Sequence, residues 1–266
     1  MFISMNCIFI YLHRFFRFLI KIIFKNKRVS KPLSIYPDLN IEYTVAHHLL
    51  FFFSFKINYE NDIQIKILSL IKKGDIVFDL GANIGQYSLI FSKLVGPSGH
   101  VYSFEPNLKV FSDLNINIKK NNLNNISTFN HAVGSKNERN LLFIDSLTGG
   151  RRSSFKKERI AKLDSYENYF VDVKNLDYLI TKFGVPKFVK IDVEGLELDV
   201  LLGISVIPEK TIFLIELTKY NKNEIFLFFR SHNFGCFSSS DILINDENNI
   251  FAKNKDFGNY FFKKLF

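Results

Sequence analysis

From Lys73 onward, short apolar runs alternate with segments of helical periodicity, separated by Gly or Asn turns. This alternation constrains the fold more than any other feature of the chain. Apolar strands that are separated by helices form a parallel sheet that is covered by helices on both faces. The pattern therefore predicts an α/β fold with a doubly wound, mostly parallel sheet.

Five strands and five helices follow from this pattern. The predicted strands are Ile76 to Leu80, Val101 to Phe104, Ser127 to Ala132, Phe188 to Val193 and Ile212 to Leu217. The predicted helices lie near Gln86 to Val95, Leu108 to Asn121, Lys174 to Phe183, Leu196 to Leu202 and Asn223 to Ser231. In open sheets of this type ligands bind beyond the carboxyl ends of the strands, so those ends are where we expect the chemistry.

The length of 266 residues suits one large domain with an extension. We predict an N-terminal basic, amphipathic and helical extension over residues 1–60 and the α/β domain over residues 61–266. The two cysteines, Cys7 and Cys236, form no CxxC pair and have no metal-ligand spacing, which argues against a zinc module and a secreted disulfide framework. A reducing cytoplasm is the expected location.

The positive net charge is concentrated at the N-terminus. Of the net +9, residues 1–37 carry +7, and 28 basic against 26 acidic residues remain in the rest of the chain. A protein that binds nucleic acid needs a basic face for the phosphate backbone, and the remainder offers none. We therefore expect no nucleic-acid partner.

The N-terminal segment combines an apolar side with a basic stripe. On a helix, the basic stripe of Arg14, Arg17, Lys21 and Lys25 would lie on one side. Charged residues interrupt the apolar residues of this segment too often to leave the run of roughly 18 apolar residues that a membrane-spanning helix needs. The stripe is typical of a helix in a membrane interface, and equally of one that packs on its own domain. The first alternative predicts that residues 1–31 contact an anionic membrane peripherally, at its inner face.

The first strand ends in a glycine-rich turn that leads into a helix. Gly81 and Gly85 let backbone N–H groups approach a ligand closely, but their spacing is not the GxGxxG of a dinucleotide site. Asp79, just before them, would repel a pyrophosphate and attract a cationic group such as an ammonium. A tight structural turn remains the alternative.

The next two strand ends carry residues that suit a nucleoside. Glu105 stands where an acidic residue can accept both hydroxyls of a ribose, although it could instead cap the following helix. At the third end, Ala132 and Val133 offer small side chains that suit an adenine plane. His131 beside them could be a core, surface or catalytic histidine.

The fourth strand end is charged where a central parallel strand should be apolar. Lys190 and Asp192 are two residues apart and therefore point to the same side of the sheet. Burying unpaired charges costs several kcal/mol, so they must pair with each other, meet a ligand or lie at the open tip. Glu194 follows at a predicted helix start. The structural alternative is a Lys–Asp pair with a helix-start glutamate, and the functional one is a polar cluster at a reactive centre.

These residues lie in the segments VFDLGANIGQYS, VYSFEPN, HAVGS and FVKIDVEGLELDVL. In this order they resemble the FkbM family of S-adenosylmethionine-dependent methyltransferases over about residues 74 to 217. The resemblance implies a class I, Rossmann-like methyltransferase fold and S-adenosylmethionine as cofactor. It implies a methionine site at Asp79, Gly81, Asn83 and Gly85, a ribose site at Glu105, an adenine site at Ala132 and Val133, and a methyl-transfer site at Asp192, Lys190 and Glu194.

Methyl transfer to oxygen requires an acceptor hydroxyl in line with the sulfur–methyl bond and a group that takes its proton. Asp192 or Glu194 is the predicted base. A divalent ion held by the two carboxylates is the second alternative, since no third ligand is evident. The resemblance implies a saccharide, glycan or other small-molecule acceptor, including secondary metabolites. A non-catalytic scaffold that keeps the cofactor pocket and a nicotinamide-dependent oxidoreductase are the rival functions.

Overall fold

The computed structural model of the chain describes residues 20, 23, 24, 26–145, 153–155, 166–246 and 257–265. We number its elements in chain order. The strands are β1 Arg28–Pro32, β2 Asn40–Thr44, β3 Ile76–Leu80, β4 His100–Phe104, β5 Ile126–Phe129, β6 Ala132–Val133, β7 Glu138–Asp145, β8 Ser153–Ser154, β9 Tyr166–Lys174, β10 Phe188–Ile191, β11 Ile212–Thr218, β12 Phe234–Phe237, β13 Leu243–Ile244 and β14 Phe257–Lys264. The helices are α1 Leu49–Phe52, α2 Asn61–Leu70, α3 Gln86–Val95, α4 Leu108–Lys120, α5 Leu176–Phe183, α6 Glu197–Leu201 and α7 Lys222–Ser231.

The main sheet has eight strands in the order β13-β12-β14-β11-β10-β3-β4-β5. Strands β11, β10, β3, β4 and β5 are parallel, while β14 runs antiparallel between β11 and β12. Alternate residues of β3 face opposite layers: Val77 packs with α2 and α3, and Phe78 packs with α5 and α7. The predicted doubly wound, mostly parallel fold is therefore confirmed.

The central elements begin and end within two residues of the predicted positions, but the third strand differs. The predicted strand from Ser127 to Ala132 is two strands, because the side-chain amide of Asn130 donates to the carbonyl oxygens of Glu105 and Pro106, each at 2.9 Å. These bonds end β5 at Phe129 and redirect the chain. Ala132 and Val133 consequently belong to a second sheet.

This second sheet has the order β6-β9-β7-β8 and was not predicted. It contacts the start of α4, where the Tyr169 hydroxyl accepts a hydrogen bond from the backbone N–H of Leu108 at 2.7 Å and donates one to the carbonyl oxygen of Pro106 at 3.3 Å. The sheet thus covers the carboxyl end of β4. Its strands are paired across distant parts of the chain, which a local pattern does not predict.

The described part of the N-terminal extension is only partly helical. Residues 28–44 form an antiparallel hairpin of β1 and β2, which corrects the helical prediction for this part of residues 1–60. The hairpin packs on α4, whose buried Asn117 amide donates to the carbonyls of Glu42 and Ile84 at 3.0 and 2.9 Å and accepts from the Glu42 N–H at 2.7 Å. An isolated hairpin is marginally stable, so α4 supplies the support that makes this one form.

One basic residue of the N-terminal segment, Arg28, makes ion pairs within the protein. Arg28 donates to Glu42 at 2.7 Å and to Asp113 at 2.6 Å, which ties β1 to β2 and α4. The membrane-contact prediction for residues 1–31 otherwise falls mostly on residues outside the described ranges. In the described part of the chain, no helix is long and apolar enough to cross a membrane.

Candidate active site

The glycine-rich turn after β3 is pressed against the end of β10. Gly81 has a φ of +79°, and a Cβ at this position would overlap the carbonyl oxygen of Asp192. Only glycine combines the left-handed backbone with this close approach. The backbone N–H of Asp192 in turn donates to the carbonyl of Leu80 at 3.0 Å. The first and fourth strand ends are therefore one structural unit.

Asp79 lies beneath this turn, not at its surface. Because side chains alternate along β3, Asp79 shares the face of Val77 and points toward α3, where the Ser88 hydroxyl donates to its Oδ2 at 2.6 Å. Burial raises the pKa of the Asp79 carboxyl, while Lys190 opposes this shift. Its Oδ1 is buried and has no hydrogen-bond partner among the described residues.

Gly85 also lies away from the open cleft. It has a φ of +98° at the start of α3, and a Cβ there would come within 2.7 Å of the Leu114 side chain. Gly85 therefore lets α3 and α4 approach each other. Of the four residues predicted for the methionine site, Gly81 and Asn83 line a cavity, and Asp79 and Gly85 support it from behind.

The first cavity opens beyond the ends of β3, β4 and β10 and is covered by the second sheet. One part of its wall is apolar, as an adenine would need, and the rest is polar. The predicted residues in its lining are Gly81, Asn83, Glu105, Ala132, Val133, Asp192 and Glu194. The sequence therefore identified residues from all four strand ends that the fold brings together.

Glu105 is buried at the centre of this cavity. Its Oε2 accepts from the N–H of Asn83 at 3.0 Å, and its Oε1 accepts from the N–H of Asn107 at 2.9 Å. Each carboxylate oxygen keeps a lone pair for another donor. The helix cap is a different residue, since the Asn107 side chain accepts from the N–H of Lys109 at 3.0 Å. Burial raises the pKa of Glu105 to about 7.

Lys190 and Asp192 form a pair at the floor of the site. The Lys190 ammonium donates to Asp192 Oδ2 at 2.8 Å and lies 5.0 Å from the centre of the Tyr87 ring. Burial alone would lower the pKa of this ammonium, but the carboxylates of Asp192 and Asp79 outweigh burial and raise it. Lys190 is 3% exposed, whereas Asp192 reaches solvent and lines the first cavity. The pair is thus both a satisfied ion pair and part of the cleft.

Glu194 lies in a strained turn after β10. Its φ of +55° is followed by +92° at Gly195, so the backbone reverses sharply beside Asp192. Glu197, which the sequence analysis missed, holds this turn: its Oε1 accepts from the N–H groups of Gly195 at 2.8 Å and Val193 at 3.3 Å. Asn221 donates to the second oxygen of Glu197 at 2.8 Å.

A second cavity adjoins the first at Gly81, Asn83, Asp192 and Glu194, which line both. Its own walls combine carboxylates with rings. The additional residues that line it include Glu60, Glu216, Lys190, His48, Phe51, Tyr59 and Tyr87. Four of these, at positions 48 to 60, come from the N-terminal extension.

The described residues fit the S-adenosylmethionine that the sequence implies. The first cavity offers free lone pairs on Glu105 for ribose hydroxyls and the small residues Ala132 and Val133 for a flat base. Carboxylates where the cavities meet would attract a sulfonium cation. Among the described residues, no three His, Cys, Asp or Glu side chains are grouped as metal ligands.

The sequence family described as the Methyltransferase FkbM domain matches residues 79–236, more than half of the chain. The chain belongs to the FkbM methyltransferase family. This confirms the family prediction and, with it, S-adenosylmethionine as the cofactor.

Two curated relatives of the FkbM chain are methyltransferases by name. Methyltransferase 1 of Beauveria bassiana is 28% identical over 145 residues, which are 48% of this chain and 58% of that protein. This alignment therefore spans little more than half of the relative. The hexuronic acid methyltransferase AglP of Haloferax volcanii is 26% identical over 209 residues, which are 65% of this chain and 78% of that protein.

Similar solved structures include an S-adenosylmethionine-dependent O-methyltransferase from Thermotoga maritima, with a TM-score of 0.47, 13% identity and coverage of 85% of this chain and 74% of that one. Trm5b from Pyrococcus abyssi has a TM-score of 0.47 and 12% identity, with coverage of 89% and 55%.

Glu216 is a further site residue of this FkbM protein that the sequence analysis missed. It stands near the end of β11 and lines the second cavity with Asp192 and Glu194. Burial, reinforced by the negative charges of Asp192 and Glu194, raises its pKa to about 8. The available signal was an acidic residue inside the apolar run IFLIELT, the same kind of signal that pointed to Lys190.

Glu60 and Tyr87 connect the extension to the floor of the site. The Tyr87 hydroxyl donates to Glu60 Oε2 at 2.6 Å, and the Asn259 amide donates to Glu60 Oε1 at 2.6 Å. Burial raises the pKa of Glu60. Since the Tyr87 ring lies beside the Lys190 ammonium, this chain of contacts fixes the position of the Lys190–Asp192 pair.

Proposed function

We propose that the chain transfers the methyl group of S-adenosylmethionine to a hydroxyl group of a saccharide. The observation that carries this proposal is the placement of Asp192 and Glu194, which line both the cofactor cleft and the second cavity, together with Glu216, which lines the second cavity. These carboxylates lie where the methyl group of a cofactor bound through Glu105 must meet an acceptor.

The chemistry of the second cavity favours a sugar. Sugar hydroxyls donate hydrogen bonds to carboxylates, and the C–H faces of sugar rings pack on aromatic rings. The cavity presents Glu60, Glu194 and Glu216 as acceptors, beside the rings of Phe51 and Tyr59, whose centres are 6.4 Å apart. The Haloferax relative named as a hexuronic acid methyltransferase supports the same class of acceptor.

The two predicted domains then both contribute residues to the wall of this acceptor site. The extension, residues 1–60, supplies the rings and Glu60, while the methyltransferase domain, residues 61–266, supplies the strand-end carboxylates. A cytoplasmic enzyme that modifies glycan precursors at the inner membrane face is consistent with this arrangement and with the basic N-terminal segment.

The cofactor, when bound, supplies an electrophilic methyl group. The residues of the chain do the rest: Glu105 accepts the ribose hydroxyls, Ala132 and Val133 contact the base, and Gly81 and Asn83 lie by the methionine part. The second cavity then holds the acceptor oxygen in line and limits access of water, which are the main requirements of this transfer.

A carboxylate at the strand end takes the proton of the acceptor hydroxyl. Asp192 is the stronger candidate, since its Oδ2 is oriented by Lys190 and the side chain still reaches the cavities. Glu194 is the second candidate. The non-catalytic scaffold and the divalent-ion alternatives predict different behaviour, because neither uses Asp192 as a proton acceptor.

The test is a kinetic comparison of Asp192→Asn and Glu194→Gln with the parent protein. We expect one of them to lower turnover about 10²-fold or more while cofactor affinity changes only a few fold, which is typical of a lost general base. Glu224→Gln, in the first turn of α7, is the matched carboxylate control and should change neither quantity. Near-normal turnover in both site variants would exclude these residues as bases, and a requirement for added divalent ions would favour the metal alternative.

A further inference from the structure

A short turn after α1 is held at both ends by the protein core. On one side, α1 packs its Phe51 and Phe52 against the N-terminal cluster. On the other, Ile57 donates to the Pro32 carbonyl and accepts from the Ser34 N–H, both at 2.9 Å. We call residues 53–56, between these anchors, the aromatic turn.

Lys31 holds the aromatic turn from inside. Its ammonium donates to the carbonyl oxygens of Phe51 at 2.8 Å, Phe52 at 2.6 Å and Ser54. One ammonium group therefore holds the backbone carbonyls in and just before the turn, and the side chains of Phe53 and Phe55 take no part in these hydrogen bonds.

Those side chains point into solvent. Phe55 is 98% exposed and Phe53 is 61% exposed. A single exposed apolar residue is ordinary, but two phenylalanines displayed on a fixed turn are typical of a surface that meets an apolar partner.

The exposed Phe53 ring continues an apolar strip that has a cationic border. The Phe24 and Phe52 ring centres are 5.4 Å apart, and those of Phe52 and Phe53 are 5.5 Å apart. Lys27 lies 5.4 Å from the Phe24 ring, and exposed Lys56 directly follows Phe55. Residues 1–37 contain no Asp or Glu.

We propose that the aromatic turn inserts Phe53 and Phe55 into the interface of an anionic lipid bilayer. Aromatic side chains suit the boundary between headgroups and acyl chains, and Lys27 and Lys56 would meet the anionic headgroups. The positive charge of the border distinguishes this partner from a second copy of the chain, which would bring the same charges together.

Insertion would also bring the acceptor cavity to the membrane surface. Phe51 lines that cavity, and only Phe52 separates it from the aromatic turn in the sequence. An acceptor whose saccharide is attached to a lipid could then enter from the headgroup layer. This consequence rests on the proposed function, whereas insertion itself does not.

A fluorescent reporter tests insertion directly. The sequence contains no tryptophan, so Phe55→Trp introduces the sole tryptophan of the chain at an almost fully exposed position, where its emission can be excited selectively over that of the tyrosines. With vesicles of phosphatidylcholine and phosphatidylglycerol we expect its emission to shift to shorter wavelength. Phe170→Trp, on β9 at 60% exposure, is the matched control and should not shift. An unshifted Phe55→Trp spectrum would overturn the proposal.

Co-sedimentation of the full chain with the same vesicles gives a second, independent readout. The double variant Phe53→Ser/Phe55→Ser should partition at least about tenfold less than the parent, whereas Phe170→Ser should match it. Unchanged S-adenosylhomocysteine affinity would show that the double variant is folded. Equal binding by the double variant, or dispersal of a parent dimer by it without any vesicle binding, would overturn insertion and leave the proposed methyl transfer untouched.

Discussion

The Lys190 ammonium, on β10, lies 2.8 Å from Oδ2 of Asp192, the residue that directly follows the strand. Lys190 pairs through the parallel register with Asp79 on β3, whose buried carboxyl also feels its charge. One buried cation thus balances the Asp192 carboxylate in the cleft and the Asp79 carboxylate beneath it. Both the stability of the sheet and the position of the site carboxylate therefore depend on Lys190.

Lys190→Met should therefore destabilise the fold and reduce turnover together. Removing one member of a buried ion pair costs about 3–5 kcal/mol, since the remaining charges lose their partner. Thermal unfolding of the variant measures the first effect and methyl-transfer rate the second. Lys187→Met, at a half-buried position one residue before β10, is the control: its ammonium donates to the Lys210 carbonyl at 3.2 Å rather than to a carboxylate, so the variant should change neither quantity. A variant as stable as the parent would show that Asp79 and Asp192 do not depend on this cation.

Gly81→Ala and Gly74→Ala separate backbone conformation from close contact. Both glycines have positive φ, +79° and +89°, so alanine costs each about 1 kcal/mol. At Gly74 the nearest atom to a new Cβ is 3.7 Å away, whereas at Gly81 the Cβ would overlap the Asp192 carbonyl. We expect Gly74→Ala to have a slightly lower melting temperature than the parent protein and to bind the cofactor with unchanged affinity. Gly81→Ala should lose far more stability or cofactor affinity, and equal behaviour of the two would contradict the close packing of the two strand ends.

Cofactor binding should weaken as pH falls through about 7, because protonation of Glu105 removes a carboxylate that accepts ribose hydroxyls. The stability of the free protein changes in the opposite direction. Since folding raises this pKa from 4.5, the contribution of Glu105 to stability is complete below about 4.5 and is lost as pH rises through about 7.

The increase in melting temperature caused by S-adenosylhomocysteine should therefore grow with pH across neutrality. Glu105→Gln removes the titrating group, so its increase should be smaller and should not depend on pH in this range. A pH dependence that survives unchanged in Glu105→Gln would assign the titration to another group.

Glu216→Gln should stabilise the protein at alkaline pH. Folding raises the pKa of Glu216 from 4.5 to about 8 and so favours the protonated form, and the wild-type protein therefore loses stability as pH rises from about 4.5 to about 8. Glutamine resembles the protonated side chain and does not ionise. Melting temperatures of the two proteins should agree below about pH 4.5, diverge as pH rises toward about 8 and differ by a constant amount above that value, with the variant higher. Coincident curves at every pH would show that the Glu216 carboxylate is not crowded by Asp192 and Glu194.

Local signals explain how much of the site the sequence predicts. The charged pair Lys190 and Asp192 stood out because both interrupt an apolar strand, and Gly81 stood out because a strand meets a helix there. Asp79 is the instructive case: its place in the motif predicted a cofactor contact, but side-chain alternation turns it toward Ser88 and away from the cavity.

The parts that the sequence did not predict depend on distant contacts. Glu60 and Tyr87 are 27 residues apart and meet only after the extension has packed on the domain. The second sheet pairs β7 with β9 and β6 with β9, and no turn signal in the local sequence marks either pairing. Tertiary packing, which no short window of sequence contains, determines both.

The most direct test of the account is transfer of an isotopically labelled methyl group from S-adenosylmethionine to a panel of hexoses, hexuronic acids and their short oligosaccharides. Mass spectrometry of the products would locate the label. We predict a methyl ether on a saccharide hydroxyl, formed by the parent protein and at least about 10²-fold more slowly by Asp192→Asn. Saturable binding of S-adenosylmethionine with no label on any saccharide would contradict the account and favour a scaffold or a different acceptor class.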